Sequence, residues 1–225
     1  MSRQAPVPGI RRARLERARL YFVTDLVPGL DALLREALAG GVDMVQLRDK
    51  HASDEELLDA AARARALCDE HGALLWLNDR PDLALAAGAD GVHVGQDDEP
   101  VASVRRAVGP EVLIGLSTHS PEQLDAALAD GGADQLSVGP VWETPTKAGR
   151  PAAGLGYERY AAQTAERERA WFAIGGIDTA NVGEVTAAGA ERIVVLRAIR
   201  DAADPRAAAA ELRGALERNP VGAER

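Results

Sequence analysis

The stretch Gly88-Ala89-Asp90-Gly91-Val92-His93-Val94-Gly95-Gln96-Asp97-Asp98 holds, in one short span, the unit from which the chain is built. A glycine ends a helix, an acidic residue opens a strand, an apolar run follows without polar alternation, and polar groups crowd its C-terminal end. The Gly-Ala-Asp signal or a near variant returns at Gly41-Val42-Asp43, Gly132-Ala133-Asp134 and Gly189-Ala190-Glu191. These acids are expected to serve structure at the helix-to-strand junctions. Outward from this unit, apolar runs rich in Val, Ile and Leu occur at residues 20–23, 44–47, 74–77, 91–94, 113–116, 135–138, 171–174 and 192–196. Their continuous apolarity suits parallel strands covered on both faces, and amphipathic Ala/Leu segments separate most of them. Eight β-α units in about 200 residues predict an α/β fold of the TIM (β/α)8 barrel type in a single domain. The expected layout is a basic extension over 1–18, the barrel over about 19–217 and a short C-terminal tail.

Helix signals fit this count. Ser53-Asp54-Glu55-Glu56 predicts a capping box, followed by Leu57, Ala61, Ala64 and Cys68 on one face and by Gly72 as the stop. Ser120-Pro121 repeats the start signal with proline at the first helical position. An open doubly wound sheet would need a glycine-rich turn after the first strand, and Tyr21-Phe22-Val23-Thr24-Asp25 has none.

Composition narrows the function. Lys and Arg number 26 against 35 Asp and Glu, a formal net charge of −9, which excludes a general polyanion-binding surface and argues against a nucleic-acid partner. Any phosphate must be held by a local cluster. A single cysteine, Cys68, excludes a disulfide framework and a Cys-based zinc site and fits a reducing compartment. The first residues have no uninterrupted apolar segment and no stretch approaches the roughly 20 apolar residues of a membrane span, so a cytoplasmic protein with no membrane partner is expected. Arg11, Arg12, Arg14, Arg17 and Arg19 are read as a solvated tail or first-turn helix.

In a (β/α)8 barrel, chemistry is built from residues at the C-terminal strand ends and the loops after them. Those positions hold Gln46, Arg48 and Lys50; Asn78 and Asp79; Gln96, Asp97 and Asp98; Ser117, Thr118 and His119; Thr144, Thr146 and Lys147; Gly175 and Gly176; and Arg197. Gln46, Arg48 and Lys50 share one side of an extended segment, and the two cations suit phosphate oxygens, Arg as a fork and Lys as a point charge. Asp79, with Asp97 or Asp98 after the neighbouring strand, offers the carboxylates that magnesium commonly combines with substrate phosphate; spacing alone does not choose between Asp97 and Asp98, and a glycosidase acid-base pair is the competing use. Residues 139–156 show no helix or strand pattern, and their hydroxyls, Lys147 and glycines predict a lid-like phosphate loop. Gly175-Gly176 is expected to lead into a helix near Asp178 and Thr179 and to present backbone N–H groups to phosphate. His119 is a candidate base with no identifiable acid partner, and Cys68 a packing residue.

The strand-end motifs QLRDK (46–50), ND (78–79) with GVHVGQDD (91–98), STHS (117–120) and GPVWETPTK (139–147), with AIGGI (173–177), resemble thiamine-phosphate synthases in the same order. The resemblance implies a magnesium-dependent transferase that joins an aminopyrimidine pyrophosphate to a thiazole phosphate, releasing pyrophosphate. By motif it assigns Gln46, Arg48, Lys50 and Asn78 to the pyrimidine pyrophosphate, Ser117 and Lys147 to the pyrophosphate and pyrimidine, and Asp79 and Asp98 to magnesium. Thr144, Thr146 and Gly176 fall to the thiazole phosphate, and the pair after strand eight, Leu196 and Arg197, to the same region. Arg197 departs from the family, which has a small Ser there; it either clamps phosphate or turns outward. Arg48, Lys50, Lys147 and Ser117 are the expected catalytic groups, the partners are small molecules, and a homo-oligomer is compatible with the sequence. The related thiazole tautomerases and a non-catalytic phosphate sensor are the competing functions.

Overall fold

The apolar runs fold as β1 (Leu20–Thr24), β2 (Met44–Leu47), β3 (Leu74–Asn78), β4 (Gly91–Val94), β5 (Leu113–Thr118), β6 (Gln135–Val138), β7 (Ala170–Ile174) and β8 (Ile193–Val195). Each pairs in parallel with the next and β8 pairs with β1, which closes the barrel. This is a computed structural model, and it describes residues 9–144, 151–165 and 169–218. Around the barrel lie α2 (Leu30–Ala39), α3 (Asp54–His71), α4 (Pro81–Ala86), α5 (Val101–Val108), α6 (Pro121–Asp130), α7 (Gly154–Thr164), α8 (Val182–Ala187) and α10 (Pro205–Arg218), with α1 (Ile10–Arg17) before the first strand and the short α9 (Arg197–Arg200) after the last. The (β/α)8 fold expected from the sequence is therefore the one observed. Lys147 and Thr146 lie outside the described residues.

Two cores divide the apolar side chains. One fills the space between strands and helices; the other lies inside the barrel and is built on Tyr21, Met44, Leu74, Trp76, Leu113, Phe172 and Val194. The Tyr21 ring sits 5.9 Å from Trp76 and 5.8 Å, edge-on, from Phe172. These rings plug the lumen, so the barrel is a packed solid below its mouth. Gly91 is glycine because the Trp76 indole occupies the place of a Cβ: an added one would fall 2.5 Å from the ring.

The recurrent acids do structural work at the opposite end of the barrel. Asp43 accepts from the backbone N–H of Arg19 and Leu20, Asp90 from Leu75, and Asp134 from Ile114, so the acids before β2, β4 and β6 hold the starts of β1, β3 and β5. Each acid also meets arginine: Arg213 at Asp43, Arg65 and Arg11 at Asp90, Arg105 and Arg12 at Asp134. The Arg65–Asp90 pair, at 2.5 Å, is almost fully buried. Losing one partner of such a pair strands the other, so Asp90→Ala is expected to cost about 3 kcal/mol in urea unfolding. A loss below about 1 kcal/mol would assign the site no more weight than an ordinary surface pair.

Three expectations need correction. Of the two readings of the basic N-terminal segment the helix holds and the solvated tail does not: α1 buries Leu15, and Arg11 and Arg12 pair with Asp90 and Asp134. Residues 139–156 are not wholly irregular, because α7 begins at Gly154; its buried Tyr157, Glu158 and Ala161 mark the inward face. No helix starts near Asp178; that carboxylate instead accepts from the N–H of Ala180 and Asn181 in a turn, and α8 begins at Val182.

Glu158 is an anomaly of this packing. Both its carboxyl oxygens are buried without a hydrogen-bond partner, and burial pushes its carboxyl up from the usual 4.5 to about 9. The folded protein thus holds a proton that the unfolded chain releases. The stabilisation this proton gives is complete below the unfolded value and disappears as pH rises toward the folded one. Between about pH 5 and about pH 9 the protein should lose several kcal/mol that the Glu158→Gln variant keeps; parallel pH profiles for the two proteins would contradict this.

Candidate active site

Polar residues gather where the strands approach the mouth, and a few, Gln135 of β6 and His93 of β4 among them, lie deeper. Ladder hydrogen bonding continues past the apolar runs: Arg48 N–H donates to Thr24 at 2.8 Å, Asp79 N–H to His93 at 2.9 Å and Gly139 N–H to Thr118 at 3.2 Å. Asn78, Ser117 and Thr118 consequently ride on the last rungs of β3 and β5, where strand alternation and not loop sequence aims them. Beyond β2 the same alternation separates roles. Asp49 turns away and accepts from the N–H of Leu26, His51 and Ala52, and these bonds, His51's foremost, hold its carboxyl below its ordinary range. It thereby fixes the turn that carries Arg48 and Lys50.

A cavity of about 120 Å³ opens at this end. Gln46, Arg48, Asn78, Ser117, Thr144, Gly176, Leu196 and Arg197 all line it, so eight residues singled out from the sequence meet at one place. His93, His119, Ser137 and Tyr21 line it too. Arg197 is exposed at its edge as the first residue of α9. On the far wall, Gly175 has φ of +105° and Pro140 stands where its Cβ would be, so only glycine lets the two loops approach this closely.

Asp79 and Asp98 stand at the rim. Their carboxyl groups touch through a hydrogen bond, and Gly95 N–H holds Asp98 in place at 2.7 Å. Burial, and then the neighbouring Asp98, raise the Asp79 carboxyl above its ordinary range, while Lys50 and Asn78 draw it down. Asp79 also adopts φ of +59°, a left-handed conformation that Asp tolerates better than most side chains. Two carboxylates in contact at an open mouth repel unless a proton or a cation lies between them. With phosphate oxygens and water they form a donor set suited to magnesium.

Sequence reasoning missed what lies beneath the mouth. His93, Ser117, Gln135 and Ser137 form a buried hydrogen-bonded chain, and Gln46 donates to the Tyr21 hydroxyl at 2.5 Å. The available signal was two polar residues, Gln135 and Ser137, on alternate positions of an otherwise apolar strand. His119 Nδ1 donates to the Gly139 carbonyl at 2.6 Å, which ties it to the loop. Cys68 is buried in the outer core and burial pushes its thiol up to about 12, in keeping with a packing role.

Residues 20–199 match the family model described as thiamine monophosphate synthase. The chain belongs to the thiamine monophosphate synthase family. It is a transferase of thiamine biosynthesis. A thiamine-phosphate synthase of Acidothermus cellulolyticus is 54% identical over 211 residues, covering 91% of this chain and 98% of that protein. One of Gloeobacter violaceus is 54% identical over 197 residues, covering 88% of this chain, which spans only 57% of that protein's length. Among solved structures, a thiamine phosphate pyrophosphorylase from Pyrococcus furiosus superposes with a TM-score of 0.83 at 35% identity, over 92% of this chain and 99% of that one. The family match takes in every strand of the barrel and each mouth residue named above.

Proposed function

We propose that the barrel mouth condenses 4-amino-2-methyl-5-(diphosphooxymethyl)pyrimidine with 4-methyl-5-(2-phosphoethyl)thiazole, giving thiamine phosphate and pyrophosphate, or with its carboxylated form, which additionally releases CO2. The observation that carries this reading is the convergence of Gln46, Arg48, Asn78, Ser117, Thr144, Gly176 and Arg197 on one cavity with the Asp79–Asp98 pair at its rim. The pyrimidine ring would enter between Gln46 and Ser117, above the aromatic plug. Its pyrophosphate would lie toward Arg48, Lys50, Asn78 and Lys147, and the thiazole phosphate toward Thr144, Thr146, Gly176 and the Leu196–Arg197 corner. Asp79 and Asp98 would hold Mg2+, which when bound offsets the negative charge of the leaving group.

In the reaction the methylene carbon–oxygen bond breaks and the electron pair leaves with pyrophosphate. The thiazole nitrogen lone pair then forms the new carbon–nitrogen bond, so no enzyme nucleophile is required. Arg48 and Lys50, with Lys147 as its motif assigns it, stabilise the departing charge, and Ser117 orients the ring. The apolar stretches of the wall, Val23, Ile174 and Ile177 among them, limit access of water to a cationic methylene from that side. The single cysteine fits a cytoplasmic setting, and among the described residues no helix is long and apolar enough to cross a membrane. The test is to mix the pure protein with both substrates, with and without magnesium, and assay thiamine phosphate. Metal-dependent product supports the reading; isomerisation of the thiazole carboxylate alone would select the tautomerase, and binding without turnover the sensor.

A further inference from the structure

We propose that Gln135 and His93, neither of which the mouth chemistry requires directly, are positioning residues that set the hydrogen-bonding polarity of the pocket floor, so that it accepts hydrogen bonds and selects an amino-bearing ring over an oxo-bearing one. The inference rests on the reading of this cavity as the pyrimidine site. Closure of the barrel places His93 of β4 level with Gly115 of β5, and Gly115 level with Gln135 of β6. Gly115 is the window between them: a Cβ there would lie 2.3 Å from His93 Nδ1 and 2.6 Å from Gln135 Oε1.

Through that window the chain of bonds has a direction. Gln135 Nε2 donates to Ser137 Oγ at 3.0 Å, which turns its Oε1 toward His93 Nδ1 at 3.2 Å. A carbonyl oxygen can only accept, so Nδ1 carries the hydrogen. His93 Nε2 then keeps its lone pair, because burial in the lumen disfavours a charged imidazolium, and the Ser117 hydroxyl donates to it across 2.9 Å. With its hydrogen spent on His93, Ser117 turns oxygen lone pairs to the cavity. Gln46, which also lines the cavity, gives one Nε2 hydrogen to the Tyr21 hydroxyl and carries an acceptor in Oε1. The Ser117 oxygen, with Gln46 Oε1 as a second acceptor on the lining, matches an exocyclic amino group and opposes a carbonyl in the same place.

The test has two independent readouts. With 15N-histidine-labelled full-length protein, His93 should show the Nδ1–H tautomer; an Nε2–H tautomer or an imidazolium would overturn the proposal without touching the synthase reading. The second readout is the ratio of KM for the 4-aminopyrimidine pyrophosphate to that for its 4-oxo counterpart. Gln135→Leu keeps the volume and removes the acceptor, and should erode the preference for the amino substrate by about 10- to 100-fold, one to two hydrogen bonds' worth. Its kcat at saturation should stay within about threefold. Should Gln135→Leu fold poorly, Ser137→Ala frees the same amide to rotate and should move the ratio in the same direction. An unchanged ratio in a folded variant overturns the proposal. Absence of thiamine phosphate with the wild-type protein would instead overturn the reading on which it rests.

Discussion

Asp79→Asn should lower kcat by about a thousandfold at saturating magnesium while leaving the fold intact or slightly more stable. Asparagine is the informative replacement, because residue 79 has φ of +59° and Asn, unlike Ala, is at home there. The substitution therefore removes charge and leaves the turn between β3 and α4 undisturbed. In the wild type, desolvation and the touching Asp98 both work against an ionised Asp79, a repulsion that a cation bound as proposed would relieve. Because burial and Asp98 outweigh Lys50 and Asn78, removing the charge should not destabilise the metal-free protein. A urea titration without metal should give an unfolding midpoint at or above that of the wild type, and a magnesium titration of activity should show the deficit persisting at high metal. Activity within tenfold of wild type would remove Asp79 from the metal site.

Why some of this was legible in the sequence and some was not follows from where the partners lie. Parallel strands covered on both faces must be apolar throughout, so each strand announced itself and the polar residues just past it stood out. The acids at positions 43, 90 and 134 were legible as junction devices because each follows a helix-ending glycine. Their arginine partners were not: Arg11 lies 79 residues from Asp90, and Arg12 lies 122 residues from Asp134, distances at which local patterning is silent. The turn after β7 resembled a helix start because Asp178 does cap backbone N–H groups, but of a turn. Nothing in the residues around Glu158 marks it for burial; that comes from the way α7 packs on the barrel. The His93–Gln135 relay needed β4, β5 and β6 to be side by side before it existed at all.

Arg48→Ala should reduce kcat/KM by about a thousandfold, and Arg48→Lys should restore only about a tenth to a hundredth of the wild-type value. Arg48 is half-buried and lines the cavity, whereas Lys50, two residues on and on the same side of the chain, is exposed at the rim beside Asp79. A half-buried guanidinium can meet two pyrophosphate oxygens at once in a fixed plane, and the gain grows as charge accumulates on the leaving group. An ammonium at the same place supplies the charge without the fork. The loss should therefore fall on kcat as well as KM, since an interaction that strengthens in the transition state is removed. Lys50→Ala, acting from solvent, should be the milder variant and its effect should shrink as salt is raised. If Arg48→Lys were fully active, or if Lys50→Ala were the more damaging of the two, the pyrophosphate would have to lie outward at the rim, and the cavity wall would lose its place in the reaction.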